Sequence, residues 1–208
     1  MRQFIWLVAL LTISPVIVVA AGDGDQAGVL AYQHGDYTTA LQDFRVAAAS
    51  NDPRAQYNIG NMYAKGQGVP QDYVRAAKWL RRSADGGSAE AQSDLGAMYE
   101  LGEGVRQSDA DAFKWLRLAA EQGFAAAQIS LGAMYANGRG VPSDDVKAYE
   151  WTYRALGSAP PESKPYQIAA EHLYEIKERM SDAQYKQALL GVLEQMKRDV
   201  AARQHVGQ

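Results

Sequence analysis

The chain writes nearly the same ten residues three times: IGNMYAKGQG from Ile59, LGAMYELGEG from Leu95 and LGAMYANGRG from Leu131. Each copy starts 36 residues after the one before, with no insertion or deletion between them. A period in this range marks a solenoid or array. One small unit cannot bury its apolar side alone, so it stacks on copies of itself. Nothing else in the sequence limits the fold as strongly.

Within the first unit, Ala55, Gln56, Ile59, Gly60, Met62 and Tyr63 recur, and on a helix they share an arc of roughly 160°. The changing residues Tyr57, Asn58, Asn61, Ala64 and Lys65 fill the opposite arc, which predicts one packed face and one free face. Gly60, Gly96 and Gly132 sit inside this helix, where Gly costs about 1 kcal/mol relative to Ala. Such a cost, repeated in every copy, predicts close approach between helices. Gly66, Gly102 and Gly138 are placed to end the helix in the left-handed conformation, and Val69, Val105 and Val141 to anchor the turn. The G-x-G of each turn does not read as a phosphate loop, because no strand precedes it and no G-x-x-G completes it.

Asp72, Ser108 and Asp144 are good N-caps for a second helix. Its recurring residues Ala76, Trp79, Leu80, Ser83 and Ala84 span roughly 140° and are expected inward. Gly87 and Gly123 end it, and Asn51 holds the same offset upstream. The predicted organisation is therefore a degenerate capping repeat over 22–54, repeats over 55–90, 91–126 and 127–158, and capping helices over 159–208. The prolines of GSAPPESKP close the array. Beyond them, Ile168, His172, Leu173, Ile176 and Met180 make one apolar-weighted stripe, and Leu189, Val192, Leu193, Met196 and Val200 make another. Ser181 and Gln184 make a capping box between the two. These helices are expected either to cover the last open repeat face or to form a homodimer contact.

Residues 1–21 read as an export signal: Arg2, an apolar run from Phe4 to Val19, and small residues before a cut after Ala21. The expected location is the periplasm or the exterior of a bacterial cell. Membrane association is expected only if the segment is kept as an anchor. The net charge of −3, with no basic stripe, argues against nucleic acid as a ligand. The chain has no cysteine, which removes disulfides, thiolate metal sites and a thiol nucleophile. Its three histidines are scattered, so no helical metal pair exists; no metal site, cofactor or catalytic residue is expected. Asp109 and Asp111 are two apart on a helix and diverge, which speaks against acid–base work. Trp79, Trp115 and Trp151, with Tyr63, Tyr99 and Tyr135, lie on the recurring arcs and are expected in the core rather than in a carbohydrate groove. Gln56, Gln92 and Gln128 are expected to bond backbone where repeats meet.

The pattern A-Q-x-x-L-G-x-M-Y-x-x-G-x-G-V, a cap, then A-x-x-W-L-x-x-A-A-x-x-G resembles Sel1-like repeats, relatives of tetratricopeptide repeats. The resemblance covers about Ala55 to Gly157, with a half-match upstream. It implies an all-α, right-handed solenoid of helix–turn–helix repeats whose first helices line the concave side. It also implies work as a non-enzymatic adaptor or scaffold. A cysteine-rich branch linked to β-lactams is not matched by a chain without cysteine. The third copy departs from the pattern, with Thr152 for Leu80 and Leu156 for Ala84. The changing concave-face residues are Asn58, Asn61, Lys65, Asp94, Glu100, Ser130 and Asn137, and these are the candidate partner-binding set. The expected ligand is a protein or peptide in the cell envelope. The rival readings are a membrane-tethered scaffold of a secretion or polysaccharide machine, and an envelope hydrolase or carbohydrate-binding module.

Overall fold

The structure is a computed structural model and describes residues 26–206 of the 208. The export segment read at residues 1–21 lies outside the described residues. Those described form ten α-helices and no strand: α1 (Gln26–Gln33), α2 (Tyr37–Ala49), α3 (Pro53–Lys65), α4 (Tyr73–Asp85), α5 (Ala89–Leu101), α6 (Asp109–Glu121), α7 (Ala125–Asn137), α8 (Asp145–Ser158), α9 (Lys164–Arg179) and α10 (Asp182–Val206). The chain forms two compact units, which meet within α6 at Ala119 and Ala120.

In the first unit, α1 and α2 form the degenerate hairpin, α2 packs on α3, and α3 packs on α4. Phe44, Ile59, Met62, Leu80 and Leu95 are buried to within a few per cent. The helix glycines do what their cost predicts. A methyl group on Gly60 would stand 2.8 Å from Leu80 Cγ, and one on Gly96 would stand 2.7 Å from Leu116 Cγ. Both are closer than packed carbon atoms tolerate, so hydrogen at these positions is what lets the paired helices touch. The caps follow the sequence as well. Asp72 Oδ1 accepts from the Arg75 amide at 2.9 Å, and Ser108 Oγ accepts from the Asp111 amide at 3.2 Å. Asn51 adopts φ 61°, the left-handed geometry expected of it.

The first helices begin two residues earlier than the repeat pattern suggests. α3 starts at Pro53 because Asp52 caps it through the Arg54 amide, and proline suits a first helical turn, where its missing N–H is not needed. Ser88 caps α5 in the same register, through the Ala91 amide.

In the second unit α7 pairs with α8, and α9 and α10 pack on α8. Gln92 in the first unit and Gln128 in the second each donate from Nε2 to a backbone carbonyl at the end of the preceding helix, Ala84 and Ala120, at 3.1 Å. These are two of the three expected inter-repeat bonds; the buried Gln56 side chain does not make the third. Thr152, in the position held by Leu80 and Leu116, is buried, and its hydroxyl donates to the Ala148 carbonyl at 2.8 Å. That bond removes the penalty of a polar atom in the core. The capping box forms: Gln184 Oε1 accepts from the Ser181 amide at 3.0 Å, and Ser181 Oγ accepts from the Gln184 amide at 3.3 Å.

One expectation needs correction. The stripe on α10 does not face one way. Ala188 and Val192 are buried against α8, but Leu193, Met196 and Val200 are 53%, 51% and 55% exposed. α10 comes close to α8 at Gly191, where an added methyl group would meet the carboxylate of Glu150. Arg154 reinforces it by donating to Gln195 Oε1 at 3.2 Å. Contact with α8 therefore follows Tyr185, Ala188, Leu189 and Val192 rather than the more C-terminal apolar residues.

Candidate functional site

The recurring tyrosines and tryptophans are held by arginines that repeat with them. Arg45 Nη2 donates to the Tyr63 hydroxyl at 3.3 Å, and 36 residues later Arg81 Nη2 donates to the Tyr99 hydroxyl at 2.7 Å. The Arg81 guanidinium also lies 4.7 Å over the Trp115 ring, Arg82 lies 4.7 Å over Trp79, and Arg154 lies 4.3 Å over Trp151. Each of the three is half-buried with a cation on its ring, and Trp79 and Trp115 pack against the core. The aromatic rows thus belong to the scaffold. Arg45, Arg81 and Arg117 share the 36-residue period, and that periodicity alone would have identified the tyrosine partners.

The changing residues are not uniformly free. Every residue from Ala55 to Ala64 is buried, so Tyr57, Asn58, Asn61 and Ala64 do not form the free face that their variability suggested. Asn58 is 6% exposed and Asn61 8%, whereas the matching positions Asp94 and Ala97 of α5 are half-buried. Helical winding sorts residues into faces, but it does not report what crosses a face. Lys65 is half-buried at the end of α3. Glu100 is half-buried on α5. Ser130 and Asn137 lie on α7 in the second unit, and Asn137 is exposed and donates to its own helix at Ala133.

Asn61, Lys65 and Asp94 each lie near a neighbour in one group, and Tyr57, which was not singled out, joins them. The Tyr57 side chain lies near both the Asp94 carboxyl and the Asn61 side chain. Burial pushes the Asp94 carboxyl up to about 7, with Glu90 adding to the rise and Tyr57 and Lys65 opposing it. Burial also raises the Tyr57 phenol and lowers the Lys65 ammonium. Asn58 Nδ2, Asn61 Oδ1 and Asp94 Oδ2 are closed to solvent and have no hydrogen-bond partner among the described residues. Each such atom costs about 1–3 kcal/mol while unpaired. These atoms are one donor and two acceptors.

A family model of the Sel1 repeat matches residues 53–88, 89–124 and 125–156, together half of the chain. The matched spans start where α3, α5 and α7 start. Among solved structures, a Sel1 repeat protein from Oxalobacter formigenes is 30% identical with a TM-score of 0.69, over 76% of this chain and 61% of that one. The protein c5321, a protective antigen present in uropathogenic Escherichia coli strains and displaying an SLR fold, is 23% identical with a TM-score of 0.57. That match covers 89% of this chain and 49% of the other. The chain thus spans less than two thirds of either structure. No curated protein matches it.

Proposed function

Since the chain belongs to the Sel1 repeat family, we propose that it is an exported, non-enzymatic adaptor of the bacterial cell envelope that holds a protein or peptide on the face of its first helices. An all-α solenoid of such repeats is generally an interaction scaffold. One observation carries the choice of face. The residues that stack the repeats recur, while the polar residues of α3, α5 and α7 at the same register do not: Asn58, Asp94 and Ser130, then Lys65, Leu101 and Asn137. A constant frame with a varied polar face is how a solenoid sets its choice of partner. The location rests on residues 1–21, read as a signal.

The test is crosslinking in the native envelope followed by mass spectrometry, beside a triple variant with Lys65→Glu, Glu100→Arg and Asn137→Glu. These positions are half-buried or exposed, whereas Asn61 is too buried for a charged replacement, and a circular-dichroism melt of the variant checks that it stays folded. A protein captured by the native chain and lost from the variant supports the adaptor face. The same catch from both removes that face from consideration. Cell fractionation checks the location, and recovery of the chain in the cytoplasm would sink it.

A further inference from the structure

The face of α10 turned away from α8 carries a row that is its own complement in charge. Ala188 and Val192 are the residues buried on α10. Winding at about 100° per residue puts Leu190 on the opposite side, and it is 55% exposed. Counting by four from Leu190 gives Asp182 and Lys186 towards the N-terminus, and Glu194 and Arg198 towards the C-terminus. All five are exposed. Read forwards, the row is acid, base, leucine, acid, base. Laid against itself in reverse, each acid falls on a base and the leucine falls on the leucine.

The charges find no partner inside the chain. Asp182 with Lys186, and Glu194 with Arg198, have the spacing of ion pairs along a helix, yet among the described residues none of the four makes an ion pair. Arg198 makes one side-chain hydrogen bond, to Gln195 Oε1 on its own helix at 3.0 Å. Leu193 and Met196 are also half exposed, so Leu190 belongs to an apolar strip rather than standing alone. Rows at every fourth residue incline by about 26° to the helix axis, so two of them run side by side when helices cross at about 50°, the commonest packing angle. In parallel helices Lys186 would face Lys186, and Glu194 would face Glu194. In antiparallel helices related by a two-fold axis at Leu190, Lys186 of each copy faces Glu194 of the other. The long Arg198 side chain reaches for Asp182 at the ends of the row. An unrelated partner has to match four alternating charges, whereas a second copy does so by symmetry. An anionic lipid surface would meet Asp182 and Glu194 as like charges.

We propose that α10 docks antiparallel on α10 of a second copy, with Leu190 on the two-fold axis. The contact uses no residue of α3, α5 or α7, so it stands apart from the adaptor reading. One helix crossing is a small interface, and the expected dimer is weak, with a Kd of about 10–100 μM. Sedimentation velocity of the full chain is therefore expected to show monomer at about 1 μM and dimer at about 500 μM. Lys186→Glu and Glu194→Lys are each expected to weaken the dimer about tenfold, because each sets like charges together twice. Combined in one chain they are expected to restore it, and so is an equimolar mixture of the two single variants.

The chain has no cysteine, so a single one introduced on α10 reports the register. Under mild oxidation Leu190→Cys is expected to give a covalent dimer readily. Val200→Cys, about 15 Å along the helix from the axis, is expected to give little. A chain that stays monomeric at the upper concentration overturns the proposal, and its flotation with phosphatidylglycerol vesicles would then assign the row to a lipid surface. Equal crosslinking at 190 and 200 overturns the antiparallel register. A doubly exchanged chain that dimerises no better than the single variants overturns the charge pairing.

Discussion

A hydrogen atom at position 96 is what allows α5 to lie on α6, since a methyl group there would press on Leu116. Gly96→Ala gains up to about 1 kcal/mol of helix propensity but forces an overpacked contact costing about 1–3 kcal/mol. A net loss of about 1 kcal/mol in urea unfolding is expected. Gly157→Ala in α8 has no atom within 4 Å of the new methyl group, so it is expected to stabilise, by about 0.5 kcal/mol. Equal effects at the two sites would show that close approach is not what holds glycine at 96.

Asp94 makes a second prediction at this scale. Its folded carboxyl titrates near 7, above the ordinary value of 3.8, so the folded state prefers the protonated form. That preference contributes fully below about pH 4 and is lost as pH rises through about 7. The urea midpoint of the native chain is expected to fall across that window, and Asp94→Asn is expected to flatten the fall. A profile unchanged by the substitution would contradict the burial assigned to this group.

At the scale of the element, α3 and α5 are each tied to the preceding second helix through a tyrosine hydroxyl as well as through apolar contact. Arg81 both donates to Tyr99 and covers Trp115, but it is exposed, so its contribution is small. A double-mutant cycle of Arg81→Met with Tyr99→Phe is expected to give a coupling of about 0.5–1 kcal/mol. No measurable coupling would reduce the arginine row to surface charge. The α7–α8 pair differs because Thr152 stands where α4 and α6 carry leucine beside the helix glycine. Thr152→Leu restores the earlier pairing and is expected to raise stability by about 1 kcal/mol.

At the scale of the molecule, each repeat buries its face on its neighbours, so stability depends on how the array ends. At the C-terminal end α9 and α10 cover α8, and the contact is selective along α10. Val192→Ala removes buried methyl groups and is expected to cost about 1–2 kcal/mol. Leu193→Gln and Met196→Gln lie on the exposed side and are expected to stay within about 0.5 kcal/mol of the native chain. A larger loss at the exposed pair, in a chain shown to be monomeric by sedimentation, would mean that the rotation of α10 is wrong.

How much of this was legible in the sequence divides by cause. Helix type, helix ends and the inward arc of each repeat were readable because they depend on local chemistry. Asp72, Ser108 and Asp144 cap their own helices, Gly66, Gly102 and Gly138 need a left-handed backbone, and a period of 36 residues places each copy by the same rule. The glycines at 60 and 96 were readable for a different reason, since a cost repeated at fixed spacing implies a contact at fixed spacing. The candidate site was readable only in part. Variability at positions 58, 61, 65 and 94 singled out polar residues on α3 and α5. It did not show that Asn58 and Asn61 are buried, nor that Tyr57 stands near both Asn61 and Asp94. Nor could the apolar stripe of α10 reveal which part of it would reach α8. Burial and pairing between helices are set by atoms distant along the chain, and periodicity carries no information about their distance. The repeat was thus determined by the sequence alone. Which polar atoms are left without a partner was decided by the tertiary structure, because an unpaired atom is defined by what surrounds it.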